Sequence, residues 1–249
     1  MTPDNIQFRT GVIKPVECVK EAWALIKDQY WLFLGIVFVG MLIGGAVPIV
    51  LLGPMMVGIY LCLLRRMRGE PVEFGNLFKG FDYFAQGLIA ALLQMIPIVV
   101  VIVPMYVIMF VFMIVMMPRG GRMDPDAGPT FAFAFLGFYV IFILVIMTVA
   151  IAVHVFFQFA FPLIADRNLS GVDAVKLSIK AARANFGGLL GLTLLTVGMG
   201  ILGVFACYVG AFLVMPISLT SYAVAYRRVF PEVSQNFASP PPPPASWAA

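Results

Sequence analysis

WLFLGIVFVGMLIGGAVPIVLLGPMMVGIYLCLL, residues 31–64, runs for 34 positions without one Asp, Glu, Lys or Arg and then stops against RRMRGE, residues 65–70. At about 1.5 Å of rise per residue, one straight helix of that length would measure about 51 Å, against a bilayer hydrocarbon core of about 30 Å. The run therefore bends back on itself. Pro48, with Gly44, Gly45, Gly53 and Pro54 around it, supplies the turn, because proline removes a backbone donor and clashes with the preceding helical turn. The result is a hairpin of two spans, closed by Arg65, Arg66 and Arg68 where the chain leaves the membrane.

Three further stretches lack the four charged residue types: residues 83–117, 131–165 and 186–226. They give the chain its 62% apolar and 11% charged composition, where a soluble domain carries about 25% charged residues. Mean hydropathy is +1.01. The last run, with Gly210 and Pro216 near its middle, divides into a second hairpin. Pro97 and Pro104 leave the middle runs open between a kinked single span and a turn, and charge decides. Fourteen of the 16 Lys and Arg fall in residues 1–27, 65–79, 167–183 or at Arg227 and Arg228, whereas residues 118–130 hold only Arg119 and Arg122, balanced by Asp124 and Asp126. Cytoplasmic loops carry the excess of cations. Two hairpins flanking two single spans satisfy that pattern, with six spans and both termini inside. The first 30 residues are mostly polar and lack a cleavable signal layout, so the first span is expected to remain in the mature chain.

The arginine stop recurs. VECVKEAWALIKDQYWLFLG, from Val16, aligns without a gap on VDAVKLSIKAARANFGGLLG, from Val172: Lys20 meets Lys176, Lys27 meets Arg183 and Tyr30 meets Phe186. Beyond the hairpin tips, Pro54, Tyr60, Arg65, Arg66 and Glu70 meet Pro216, Tyr222, Arg227, Arg228 and Glu232. The fold class expected is an all-α integral membrane protein of about six transmembrane helices with two parallel helical-hairpin repeats and cytoplasmic amphipathic helices. One transmembrane domain, residues 1–235, holds repeat 1 (16–70), a central helix pair (83–165) and repeat 2 (172–232). Residues 236–249, with the run SPPPPPASWAA, form a stiff, disordered proline-rich tail.

Each repeat opens with an amphipathic helix. In SGVDAVKLSIKAARANF, Ser170 is the expected N-cap with Asp173 at capping-box spacing. Val172, Val175, Ile179 and Ala182 share one face, and Lys176, Lys180 and Arg183 another, the pattern of a helix lying in the membrane interface. KPVECVKEAWALIKDQYW repeats it, with Trp23, Tyr30 and Trp31 in the aromatic belt. EPVEFGNLFKGFDYF is a weaker third version, interrupted by Gly75 and Gly80. Arg65, Arg66, Arg68, Lys176, Lys180, Arg183, Arg227 and Arg228 are the candidates for contact with anionic headgroups. Membrane lipids are the expected partners, with membrane-protein partners or a homo-oligomer beside them; the net charge of +4 belongs to these anchors and not to nucleic-acid binding.

Chemistry inside the membrane is sparse. His154 and Gln158 form an i, i+4 polar pair on the fourth span, and Gln94 is placed to meet them from the third. Without carboxylates in any span, they read first as interhelical hydrogen-bonding groups. One histidine excludes an HExxH zinc site, and no GxSxG elbow or phosphate loop is present, so no catalytic residue, metal or cofactor is expected. Cys18, Cys62 and Cys207 have no metal or disulfide spacing and read as small apolar residues. Gly40 with Gly44 and Gly187 with Gly191 have the spacing of close helix contacts.

GPMMVGIYLCLLRRMRGE with FGNLFKGFDYF, and FPLIADRNLSGVDAVKLSIKAARANF with the closing AYRRVF, resemble a broad group of bacterial polytopic inner-membrane proteins, some of whose relatives form the membrane domain of glycerophosphoryl diester phosphodiesterases. The resemblance implies about six helices and inner-membrane residence. The phosphodiesterase activity does not carry over, since it belongs to a separate soluble barrel. The reading from sequence is a non-enzymatic membrane scaffold or accessory subunit, with a permease or lipid-handling protein for a small apolar or zwitterionic molecule as the alternative.

Overall fold

The computed structural model describes residues 6–116, 127–206 and 209–232. Most of the expected outer loop, Cys207 and the proline-rich tail lie outside the described residues. Every regular element among the described residues is a helix: α1 (Pro15–Ile26), a 3-10 turn (Lys27–Gln29), α2 (Tyr30–Ala46), α3 (Pro48–Met67), a 3-10 helix (Phe74–Tyr83), α4 (Phe84–Met116), α5 (Ala127–Phe157), α6 (Ala160–Arg167), α7 (Gly171–Ala184), α8 (Phe186–Phe205) and α9 (Val209–Val229). Six helical stretches, carried by α2, α3, α4, α5, α8 and α9, are long and apolar enough to cross a membrane. The chain is a multi-pass helical membrane protein.

The first hairpin turns on Val47, whose φ of −133° and ψ of 80° break the helix. Pro48 then starts α3 at a position where its missing N–H is no loss and its fixed φ suits the helix. Pro54 lies within α3, and Pro97 and Pro104 lie within α4, which continues through both. The first middle run is thus a single helix in which neither proline makes a turn, whereas the second is α5 followed, after a break at Gln158 and Phe159, by α6. At 33 residues α4 extends to about 50 Å, more than the hydrocarbon core requires. Outer side chains such as Phe110 and Leu144 are 58% exposed, which in a bilayer is the surface that acyl chains cover. Phe112 stacks on Phe138 at 4.9 Å, and Tyr106 meets Phe142 edge-on at 5.4 Å, joining α4 to α5.

The tightest packing is on α3. A Cβ built on Gly58 would overlap the Leu77 carbonyl, one on Gly80 the Pro54 carbonyl, and one on Gly53 the Gly87 carbonyl. Backbone therefore touches backbone where the 3-10 helix and α4 cross α3, the close approach that small residues permit in membranes. The 3-10 helix is ten residues long, unusual for a form that seldom exceeds four. Its three-residue period matches the sequence: Leu77 and Gly80 face inward, while Phe78, Phe81 and Phe84 form an exposed row. Among the GxxxG glycines, Gly40 faces the Ile59 side chain and Gly191 faces Pro15, both contacts within this chain, and Gly187 would meet nothing within 4 Å.

The amphipathic helices bury one stripe each. On α1 it is Cys18, Ala22 and Ile26; on α7 it includes Ala174, Ser178 and Ala182, the positions aligned with the first set. The stripe on α1 packs against α9 and α8, and that on α7 against α4, α6 and α5. Val172, expected on the apolar face of α7, is instead 41% exposed, so the buried side is turned from the sequence expectation toward Ala174 and Leu177. Ser170 caps α7 as expected, accepting from the Asp173 N–H at 3.2 Å. Where α5 ends, Ser178 donates to the Phe156 carbonyl and accepts from the Phe159 N–H, at 2.7 and 3.1 Å, giving partners to backbone groups that a helix break would leave bare.

Candidate functional site

The ends of α1, α3, α6 and α9 meet in one cluster of charges. Asp166, at the end of α6 and with a side chain only 8% exposed, is its centre. Arg227 grips it with two hydrogen bonds, Nη1 to Oδ2 at 3.0 Å and Nη2 to Oδ1 at 2.9 Å. Tyr226 donates its hydroxyl to Oδ2 at 2.8 Å, Arg167 donates through Nε at 3.1 Å, and Arg68 approaches to 3.7 Å. A buried carboxylate needs such paired and hydrogen-bonded company. Asn168, with φ of 51°, then closes α6 in the left-handed conformation and turns the chain toward α7.

The remaining arginines of the two stops are also held within the protein. Arg65 pairs with Glu70 at 3.6 Å, and Arg227 with Glu232 at 3.1 Å. Each arginine thus reaches the glutamate five residues on, and the two pairs occupy matched positions of the aligned halves. Arg66 donates to the Leu25 carbonyl at 3.0 Å and faces Asp28 at 3.8 Å, while Arg228 pairs with Glu17 at 3.2 Å and Glu21 at 2.7 Å. Both second arginines therefore fasten α1. Arg68 is hydrogen-bonded to Glu70, and that bond holds the exposed Glu70 carboxyl below its ordinary value of 4.5.

The eight cations proposed from sequence as headgroup ligands divide on this geometry. Arg65, Arg66, Arg68, Arg227 and Arg228 have carboxylate partners. Lys176, Lys180 and Arg183 are exposed on α7 and have no ion-pair partner among the described residues. Lys20 and Lys27 on α1 and its 3-10 turn are likewise exposed, beside Val16 at 57% and Trp23 at 47% exposure. Arg183 also lines a groove of ≈ 340 Å³ whose other walls are Pro97, Val101, Val149, Ala152, Val153, Phe156, Phe157 and Ile179.

Within the membrane, Gln158 donates to the fully buried Tyr60 hydroxyl at 2.9 Å. Gln158 itself lies in the turn after α5 ends, and His154, four residues earlier and inside α5, packs edge-on against the Tyr222 ring at 5.1 Å. The two tyrosines matched between the halves thus each meet one member of the polar pair. Tyr222 continues through Thr196 at 2.8 Å and Thr193 at 3.3 Å. Gln94 is partly exposed on α4 and has no hydrogen bond to either member. His154, Thr193, Thr196, Ser218 and Tyr222 line an open-sided cavity of ≈ 420 Å³ between α2, α5, α8 and α9, completed mainly by apolar side chains including Met41 and Leu219.

Asp166 was missed as a candidate. Its signal was its place as the first charge after 39 residues without one, but two of its three arginine neighbours, Arg68 and Arg227, come from distant parts of the chain. No group of three or more His, Cys, Asp or Glu able to hold a metal occurs among the described residues. Comparison with known protein families, with curated proteins and with solved structures returns no match.

Proposed function

We propose that this protein is a non-enzymatic scaffold or accessory subunit of the bacterial inner membrane, with its charged cluster and both termini on the cytoplasmic side and anionic lipid held at that face. The sorting of the cations carries the reading. The arginines of the two stops are bound to the protein's own carboxylates, leaving Lys176, Lys180 and Arg183 on α7 for an external anion. Arg183 stands over a groove walled by apolar side chains, so a phospholipid can place its phosphate on the guanidinium and a chain in the groove. Cations beside apolar surface are what an anionic leaflet attracts, at about 1 kcal/mol for each Lys or Arg.

The two halves are repeats of one unit, supported by the matched Arg65–Glu70 and Arg227–Glu232 pairs and the aligned buried stripes of α1 and α7. The internally paired end of the bundle supports the scaffold reading. On this reading the exposed faces of α1 and α7, and the row of Phe78, Phe81 and Phe84, are the surfaces offered to lipid and neighbouring membrane proteins. The resemblance to bacterial inner-membrane proteins fits the same residence.

The test uses the full chain in nanodiscs of mixed phosphatidylglycerol and phosphatidylcholine. Native mass spectrometry is expected to find retained phosphatidylglycerol on the wild type and its loss when Lys176, Lys180 and Arg183 are changed together to Gln; equal retention by both proteins overturns the lipid contact. Stoichiometric co-purification of other membrane subunits from native membranes is the expected mark of the scaffold. Substrate flux in proteoliposomes overturns it in favour of a carrier.

A further inference from the structure

The cavity between the two hairpins is separate from the charged end and independent of the lipid-anchoring reading. Tyr222 precedes Arg228 by six residues on α9, and Thr196 lies ten residues beyond Phe186 at the start of α8. At about 1.5 Å per residue the cavity therefore lies about 9–15 Å inside the basic end, below the headgroups and within the hydrocarbon of that leaflet. Val197 on its wall is 40% exposed, so the cavity reaches the outer surface of the bundle, where lipid enters.

Its polar lining is of two kinds. Thr193, Thr196 and Tyr222 are hydrogen-bonded to one another or to backbone, at 2.8 to 3.3 Å. The ring nitrogens of His154 and the hydroxyl of Ser218 have no hydrogen-bond partner among the described residues. At membrane depth no bulk water serves such groups, and each left bare costs several kcal/mol. A neutral imidazole offers one donor and one acceptor, and a serine hydroxyl offers both. The rest of the wall is mainly apolar, and no Asp, Glu, Lys or Arg occurs within residues 131–165 or 186–226, so an ionic head would find no counter-charge there.

We infer that this cavity binds an uncharged amphiphile, a compact head bearing hydroxyl and carbonyl oxygens on a hydrocarbon tail, of the acylglycerol class. Its hydroxyl and ester oxygens meet His154 and Ser218, the head fills the ≈ 420 Å³, and the tail leaves past Val197 into the bilayer. The volume lies in the range of small-molecule sites, about 300–1,000 Å³.

The probe is a monoacylglycerol carrying a diazirine next to its head and an alkyne at the tail end, photolysed with the full chain in phosphatidylcholine nanodiscs and mapped by peptide mass spectrometry. Adducts are expected in residues 150–154, 193–197 and 215–222, displaced by unlabelled monoacylglycerol and not by an alkyl phosphate of the same chain length. Leu219→Trp, which fills the cavity with apolar bulk, is expected to remove those adducts. Ser218→Ala, which keeps the shape, is expected to raise the competing concentration about fivefold, the size of one hydrogen bond. Adducts spread over the outer faces of α4 and α5 without displacement overturn the site, as does equal displacement by the alkyl phosphate. Should Leu219→Trp fail to fold, an unchanged competition curve for Ser218→Ala overturns it.

Discussion

Asp166 and Arg227 face each other in two parallel hydrogen bonds of 2.9 and 3.0 Å, with side chains 8% and 11% exposed. The pair ties the end of α6 to the end of α9, and Arg68 brings in α3. Removing the carboxylate leaves three guanidinium groups without their shared counter-charge, whereas removing Arg227 leaves Asp166 with Arg167 and Arg68. Asp166→Ala is therefore expected to cost about 3–5 kcal/mol, the range for breaking a buried pair, and Arg227→Met less. Thermal unfolding in detergent measures the order; equal or reversed losses contradict the hub.

Backbone contact on α3 sets a steric limit. A methyl group at Gly58 would overlap the Leu77 carbonyl, whereas one at Gly187 would meet nothing within 4 Å. Gly58→Ala is expected to abolish the monodisperse folded fraction on size exclusion. Gly187→Ala, in the exposed first turn of α8, is expected to leave it intact with no loss of stability. The two substitutions differ only in what surrounds the added carbon, so equal behaviour refutes the packing.

These contrasts show where sequence reading reaches its limit. The hairpin at Pro48, the Ser170 cap and the single spans through Pro97 and Pro104 follow from local rules of length, charge and proline chemistry. Which glycines touch, Gly53 with Gly87 and not Gly187 with Gly191, depends on crossings that spacing alone does not specify. The same holds for the cations. Residue type and period marked Arg227 and Lys176 alike as headgroup ligands, and only the placement of Asp166, 61 residues from Arg227, separates the bound from the free. Gln158 was found and its partner Tyr60 was not, because a contact across 98 residues leaves no mark in local pattern.

Glu70 supplies a pH test. Its hydrogen bond from Arg68 holds the folded-state carboxyl below the ordinary value of 4.5. A depressed carboxylate contributes stability that is complete above the unfolded pKa and lost as pH falls through the folded one. The melting temperature of Glu70→Gln is expected to lie below wild type at pH 7 and to converge on it as pH drops below 4.5. The difference is small, because the group lies at the surface. Divergence toward low pH contradicts the assignment.

Inside the bundle, Tyr60 and Tyr222 meet the end of α5 and the turn after it, Tyr60 taking a hydrogen bond from Gln158 in the turn and Tyr222 packing on His154 in the helix. A buried amide and phenol at 2.9 Å have no water to fall back on, yet membrane hydrogen bonds measured by double-mutant cycles average only about 0.6 kcal/mol. Tyr60→Phe, Gln158→Leu and their combination are expected to give a coupling of about 0.5–1.5 kcal/mol in unfolding free energy, with the double variant less damaged than the sum of the singles. Tyr222→Phe with Gln158→Leu is expected to be additive, since Tyr222 bonds to Thr193 and Thr196 instead. Coupling in the second cycle equal to that in the first would mean that the two tyrosines share one network, and the separate roles assigned to the two ends of the polar pair would fail.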